Sequence, residues 1–275
     1  MKGVIIAAGY GTRFLPVTKT VPKEMLPLLD KPSIAFIIEE FIASGIKDIV
    51  IVTSRRKKAL EDYLDREMEL EYVFTEQGAE KKLEKIKPYD ASFCFIRQQE
   101  MRGTGHAMLQ LKPLIGNEPF VVAYPDDLHF GEIPLTKQLI DQYEQTGCTV
   151  MATLHNPPSL ERYGILSVAE DNLHVTDIVE KPAPGTAPSK EASIGRYVYT
   201  PDIFGPLEEG WQNHTGGEYF HTHALKNLMD QNKVVFKQTE GTRLDIGTPE
   251  GYLRALIRYA SQNENLKKVI RNEMQ

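Results

Sequence analysis

Residues 4–7 form a short, wholly apolar run that ends in Ala8-Gly9-Tyr10-Gly11-Thr12. A run with no polar face suits a parallel strand covered on both sides, and the glycines place a turn at its carboxyl end. Residues 33–44 then carry Ile34, Ile37, Ile38, Phe41 and Ile42 at the spacing of one helical face. Gly45 stops that helix, and residues 49–53 resume an apolar run, which completes a β-α-β unit. The alternation continues with a helix over 55–65, a strand over 93–97, a helix over 104–111 and a strand over 120–124. An α/β fold follows, with a mainly parallel or mixed central sheet flanked by helices. Residues 71–91 are polar and lysine-rich, compatible with either a surface helix or a loop. After Thr149 the strands at 150–154, 165–168, 175–180 and 194–199 come closer together, separated by turns rich in Pro, Gly and Asn. This is a smaller, β-rich part. Residues 183–189 have linker composition and read as an exposed loop, and residues 249–271 read as helical. The chain is thus expected to form a single domain in three parts: 1–148, 149–248 and 249–275.

With 41% hydrophobic and 25% charged residues over 275 positions, disorder is not the default. The longest apolar runs fall far short of the ~20 residues that cross a bilayer, and Met1 leads straight into strand-like sequence, so neither a membrane span nor a signal peptide is expected. Cys94 and Cys148 lie in apolar surroundings without CxxC spacing, which predicts buried free thiols and a reducing, cytoplasmic compartment. The net charge of -6 argues against a nucleic-acid partner, since backbone binding needs a broad basic surface. A small polyanion remains possible where local cations, and a metal, offset the global field.

Such cations occur beside the first glycines. Gly9 and Gly11 allow backbone N–H groups to approach phosphates, but the third glycine of a dinucleotide fingerprint and the Gly-Lys-Ser/Thr of an ATPase loop are missing. Arg13, Lys19 and Lys23 follow within fourteen positions of Gly9, with Pro16, Pro22 and Pro27 restricting the backbone. By charge alone this is equally a solvated basic loop. Asp126 follows the strand at 120–124 and should sit at its carboxyl end, where open α/β sheets bind ligands. Asp127 reads as a solvated turn former. His221 and His223 read as helix-surface residues and Trp211 as packing.

The segment GYGTRFLPVTKTVPKEMLP resembles the signature of the nucleoside-diphosphate-sugar pyrophosphorylases, G-x-G-T-R followed by a proline-lysine segment. Its PKEMLP wording is similar to that of the bacterial UTP–glucose-1-phosphate uridylyltransferases. Further matches occur in order: Arg97-Gln98, Gly103-Thr104-Gly105-His106-Ala107, Tyr124-Pro125-Asp126-Asp127, Arg162-Tyr163-Gly164, Glu180-Lys181-Pro182, Gly195-Arg196-Tyr197, Gly216-Gly217-Glu218 and Asp245-Ile246-Gly247. The resemblance implies a Rossmann-like nucleotide-diphospho-sugar transferase fold whose β-rich part binds the sugar. It implies that Ala8, Gly9, Gly11, Glu24, Gln98 and Gly103 hold the nucleotide, and that Gly164, Glu180, Lys181 and Gly195 hold the sugar phosphate. Arg13, Lys23 and Lys181 would be the catalytic cations, and Asp126 with Asp245 would hold Mg2+, a cation suited to hard oxygen ligands. The implied reaction makes UDP-glucose and pyrophosphate from UTP and glucose 1-phosphate, in a homodimer or homotetramer.

Three departures from that family pattern stand out. Where the uridylyltransferases have Gly-Gly-Glu-Ile-Gln-Leu-Thr-Asp-Ala, this chain has GGEYFHTHA, so His223 replaces an aspartate. Thr248-Pro249-Glu250 stands where a lysine is usual, and Tyr124 replaces a leucine. The exact sugar, and less strongly the base, stays open. A dTTP- or other NTP-sugar-1-phosphate transferase, a non-catalytic nucleotide-sugar-binding regulator and a glycosyltransferase are the alternatives.

Overall fold

A computed structural model describes residues 1–273. In chain order, β1 (Lys2–Ile6) leads through a long loop to a minimal hairpin of β2 (Pro27–Leu28) and β3 (Lys31–Pro32), then α1 (Ser33–Ala43) and β4 (Asp48–Thr53). Three helices follow, α2 (Lys58–Leu64), α3 (Met68–Glu76) and α4 (Glu80–Lys85), before β5 (Ser92–Arg97), α5 (Thr104–Leu109), α6 (Lys112–Ile115) and β6 (Phe120–Ala123). The remainder comprises β7 (Asp127–Phe130), α7 (Leu135–Thr146), β8 (Thr149–His155), β9 (Gly164–Val168), β10 (Val175–Glu180) and β11 (Glu191–Tyr199). It closes with α8 (Phe204–Gln212), α9 (Thr222–Asp230), β12 (Val234–Gln238), β13 (Thr242–Asp245), α10 (Pro249–Ala260) and α11 (Glu264–Glu273).

β1 lies between parallel neighbours β4 and β6, with Val4 level with Val50 on one side and Val122 on the other, and β5 extends the sheet beyond β4. On the far side β11 runs antiparallel to β6 and β8 antiparallel to β11, while β12 is parallel to β8. β9 joins at the first half of β11 and carries β10. A shift in register between Ser193 and Tyr197 lets the two halves of β11 serve different partners. The β-rich part is therefore continuous with the first in one mixed sheet, joined through β6 and β11.

Alternation along β1 sends Val4 and Ile6 to one face and Ile5 and Ala7 to the other, and each face has its own core. α5, α8 and α9 cover the first through Met108, Leu207 and Leu225, with Tyr219 from the segment between α8 and α9. α1 and α7 cover the second through Ile34, Ile37, Ile38, Phe41, Leu135 and Leu139. α1 has no side-chain N-cap. Four of its six large apolar residues, Ile34, Ile37, Ile38 and Phe41, are fully buried, at about 1.5–3 kcal/mol each, so packing rather than capping decides that helix.

The structure refines several expectations. Residues 71–91 are helical for the most part, as the end of α3 and all of α4, neither of which buries a side chain. The C-terminal stretch is two helices, because the Asn263 side chain accepts the Asn265 and Leu266 N–H groups and starts α11 afresh. Cys94 is not buried: Phe93 and Phe95 turn to the core, so strand alternation turns Cys94 outward on β5 at the sheet edge. Cys148 is half-buried, and both thiols are free. Among the described residues no helix is long and apolar enough to cross a membrane.

Candidate active site

The loop after β1 begins with buried Ala8 and exposed Gly9 and descends through three short helical turns. Thr18 Oγ1 donates to the Gly11 carbonyl at 2.7 Å, which folds the loop back on its own start. Its far end is anchored by Glu24. Lys57 Nζ donates to both Glu24 carboxylate oxygens at 2.6 and 2.7 Å, with the two side chains 5% and 0% exposed. Burial pushes the Lys57 pKa down, and the Glu24 charge opposes that shift. Glu24 is thus engaged inside the protein and tethers the loop to the start of α2. Lys57 was missed from the sequence, where it is one more lysine in a basic stretch.

The sheet's carboxyl edge brings two distant carboxylates together. β13 pairs antiparallel to β7 with Asp245 level with Asp127, and the Ile246 N–H donates to the Asp126 carbonyl at 2.9 Å. A Cβ placed on Gly247 would lie 3.0 Å from Asp126 Oδ2, 3.1 Å from Asp245 Oδ1 and 3.3 Å from an Arg13 guanidinium nitrogen. The two carboxylate oxygens are therefore no more than 6.1 Å apart, the sum of their distances from that shared point. A side chain there would be held in tight contact with all three groups. Lys23 Nζ donates to Asp126 Oδ2 at 2.6 Å, and Arg13 donates to the Gly247 carbonyl at 3.2 Å. Burial works against ionisation of Asp126, but the Lys23 ammonium and its hydrogen bond outweigh it and hold the carboxyl below its usual range.

Asp127 is no solvated turn residue. It accepts from Arg243 at 2.6 and 3.0 Å and from the Gly195 N–H at 2.8 Å, with the Asp127 and Arg243 side chains 10% and 13% exposed. Arg243 also reaches Asp245 Oδ2 at 3.4 Å, so one guanidinium holds Asp127, next to one candidate metal ligand, and Asp245, the other. Nothing in local sequence pairs Asp127 with Arg243, which lies on the strand opposite. His221 is likewise no surface residue, at 7% exposure among the rings of Tyr124, Tyr197 and Tyr199. Burial pushes its pKa down to about 4. His223 is exposed, and Trp211 packs against the core beneath Arg102, as a packing residue should.

At the carboxyl end of β5, buried Gln98 donates to the Gly103 carbonyl at 3.1 Å. Gly103 has φ 93, and a Cβ there would stand 2.5 Å from the Tyr219 carbonyl oxygen. That carbonyl accepts from the Gly105 N–H, and the Tyr219 N–H donates to Arg102, so the 217–223 segment clasps the loop from outside. On the other side of the sheet, Gly164 pairs with Glu180 across β9 and β10. Lys181 follows at φ 47 with its N–H on the Tyr163 carbonyl. Glu180 and Lys181 are exposed, and among the described residues the Lys181 ammonium is bonded to no other candidate group.

The structure therefore joins Arg13, Lys23, Asp126 and Asp245 in one contact cluster, Gln98 to Gly103, Gly164 to Glu180, and Gly195 to Asp127. A glycine loop after the first strand, a pair of carboxylates and cations beside them match a nucleotidyltransferase, and the matching family model, nucleotidyl transferase, covers residues 2–262: the chain belongs to that family. It is 43% identical to UTP–glucose-1-phosphate uridylyltransferase 1 of Staphylococcus saprophyticus subsp. saprophyticus, over 98% of this chain and 96% of that protein. Among solved structures, an apo UDP-glucose pyrophosphorylase superposes with a TM-score of 0.87 at 38% identity, covering 95% of this chain and 99% of the other. A UTP-bound UGPase of Acinetobacter baumannii gives 0.89 at 31% identity, covering 99% and 98%.

Proposed function

We propose that this protein transfers the uridylyl group of UTP to glucose 1-phosphate, making UDP-glucose and pyrophosphate. The observation that carries the proposal is the convergence of Asp126, Asp245 and Arg13 on Gly247, with Lys23 on Asp126. A phosphate oxygen of the sugar phosphate attacks the α-phosphorus of UTP, and the bond from that phosphorus to the oxygen bridging toward the β-phosphate breaks. Its electron pair leaves with pyrophosphate. No covalent enzyme intermediate is needed, so the protein's contribution is to position two polyanions and offset their charge.

Arg13 and Lys23 lie beside the carboxylates, where a triphosphate would compete with Asp126 for the Lys23 ammonium. Lys181, outside that cluster, is assigned to the sugar phosphate. Ala8, Gly9, Gly11, Gln98 and Gly103 frame the nucleotide, with Glu24 supporting the loop from below through Lys57. Gly164, Glu180 and Gly195 frame the sugar. The donor chemistry suits Mg2+: two hard carboxylate oxygens flank Gly247, on side chains 25% and 44% exposed. Among the described residues no third acidic, His or Cys side chain joins them, so substrate oxygens and water would complete the shell. Bound there, the ion would neutralise the charge that develops on the transferring phosphate. The same proposal includes a cytoplasmic address and a homodimer or homotetramer.

The test is pyrophosphate release from UTP, dTTP, CTP, ATP and GTP against glucose, galactose and N-acetylglucosamine 1-phosphates, with and without Mg2+. A Mg2+-dependent maximum for UTP with glucose 1-phosphate is expected. A different best pair would move the substrate, and no turnover with any pair would refute the reading.

A further inference from the structure

Three polar side chains from three separate segments meet in a buried pocket walled by tyrosines. His221 Nδ1 lies 2.8 Å from Thr104 Oγ1 and 3.5 Å from the Tyr124 hydroxyl. The imidazole is walled in by Tyr197, with ring centroids 5.4 Å apart, and by Tyr199 at 6.3 Å, both edge-on. Its Nε2 is buried and has no partner among the described residues. A proton on Nε2 would be a buried donor with nothing to accept it, whereas a proton on Nδ1 is received by Thr104. The favoured arrangement is therefore Nδ1–H donating to Thr104 Oγ1, with the threonine O–H free to turn to the Tyr124 oxygen.

The positions of these residues give the cluster a use. Thr104 directly follows Gly103 on the base side. Tyr124 stands two residues before Asp126 and touches the space over Gly195, where a Cβ would lie 3.1 Å from its ring. His221 belongs to the segment whose Tyr219 backbone clasps Arg102 and Gly105. We infer that Tyr124, Thr104 and His221 form a positioning triad that ties the base-side loop at Gly103 to the strand end that carries Asp126. This inference rests on the reading of the site given above. The family pattern has leucine before the metal aspartate, and leucine again at the place of His221 in its Gly-Gly-Glu run. This chain carries a polar side chain at both places. Thr104 Oγ1 stands between the two polar side chains, close to His221 Nδ1 at 2.8 Å and hydrogen-bonded to the Tyr124 hydroxyl, so both are satisfied through one contact chain.

The experiment compares Tyr124→Leu, His221→Leu, the double variant and Tyr124→Phe by steady-state kinetics with UTP and glucose 1-phosphate. Nitrogen-15 NMR of histidine-labelled protein reads the His221 tautomer in parallel. Because a misplacement of ~1 Å can reduce a rate ~100-fold, each single leucine variant is expected to lose about tenfold in kcat, with both KM values within about twofold. The double variant should lose no more than the worse single variant, because both act through the one Thr104 contact, and Tyr124→Phe, which keeps the ring, should lose only about threefold. His221 should carry its proton on Nδ1. Single variants at parental kcat, losses that multiply in the double variant, or a proton on Nε2 would overturn the triad. A parent without turnover would overturn the proposed function instead, and the tautomer would then decide the triad by itself.

Discussion

Replacing Asp127 with alanine should be among the most damaging single changes outside the cores. The carboxylate takes two hydrogen bonds from Arg243 and one from the Gly195 N–H, and both partners of the ion pair are nearly closed to water. Alanine would leave the guanidinium buried with only Asp245, at 3.4 Å, to oppose its charge. Breaking a buried pair by removing one partner costs about 3–5 kcal/mol, most of it from the stranded charge rather than from the lost attraction. Against a total stability of about 5–15 kcal/mol this is a large share, and for a chain of this length it corresponds to a fall of roughly 5–9 °C in Tm. Urea unfolding of the parent, Asp127→Ala, Arg243→Met and the double variant measures it. The double variant removes both charges and should be less destabilised than either single change. A loss below about 1 kcal/mol for Asp127→Ala, or a double variant no better than the singles, would refute the reasoning and return Asp127 to the solvent.

Two further outcomes follow from the same geometry. With its pKa lowered from 6.5 to about 4 by burial, His221 refuses a proton that the unfolded chain takes up over that range. Its contribution is complete above pH 6.5 and is lost as pH falls toward 4, by about 3 kcal/mol, so His221→Leu should flatten the acid limb of stability measured by urea unfolding, and an unchanged slope would contradict the assignment. Gly103→Ala would put a side chain at φ 93 and within 2.5 Å of the Tyr219 carbonyl. Strain of about 1–3 kcal/mol should weaken UTP binding by roughly tenfold or more in calorimetry, and affinity within twofold of the parent would show that the loop yields freely.

Local sequence accounts for much of the scaffold. Wholly apolar runs announced β1, β4 and β6 as strands covered on both faces, the 3.6-residue period announced α1, and the place of Asp126 after β6 followed from strand position. The order of short motifs named the family. These features are local, because strand alternation, helical period and a turn's demand for glycine are settled by neighbours a few residues away. The tertiary structure alone decided the rest. Asp126 and Asp245 meet only through the antiparallel register of β7 and β13. Arg243 makes Asp127 a buried anchor instead of a turn former, Lys57 engages Glu24 beneath the loop, and the edge position of β5 exposes Cys94. His221 sits in a helix-start pattern that looks solvent-facing, yet the tyrosines around it come from β11 and the end of β6. A polar side chain's fate depends on which distant group covers it, and the period of a sequence records only which face of its own element is apolar.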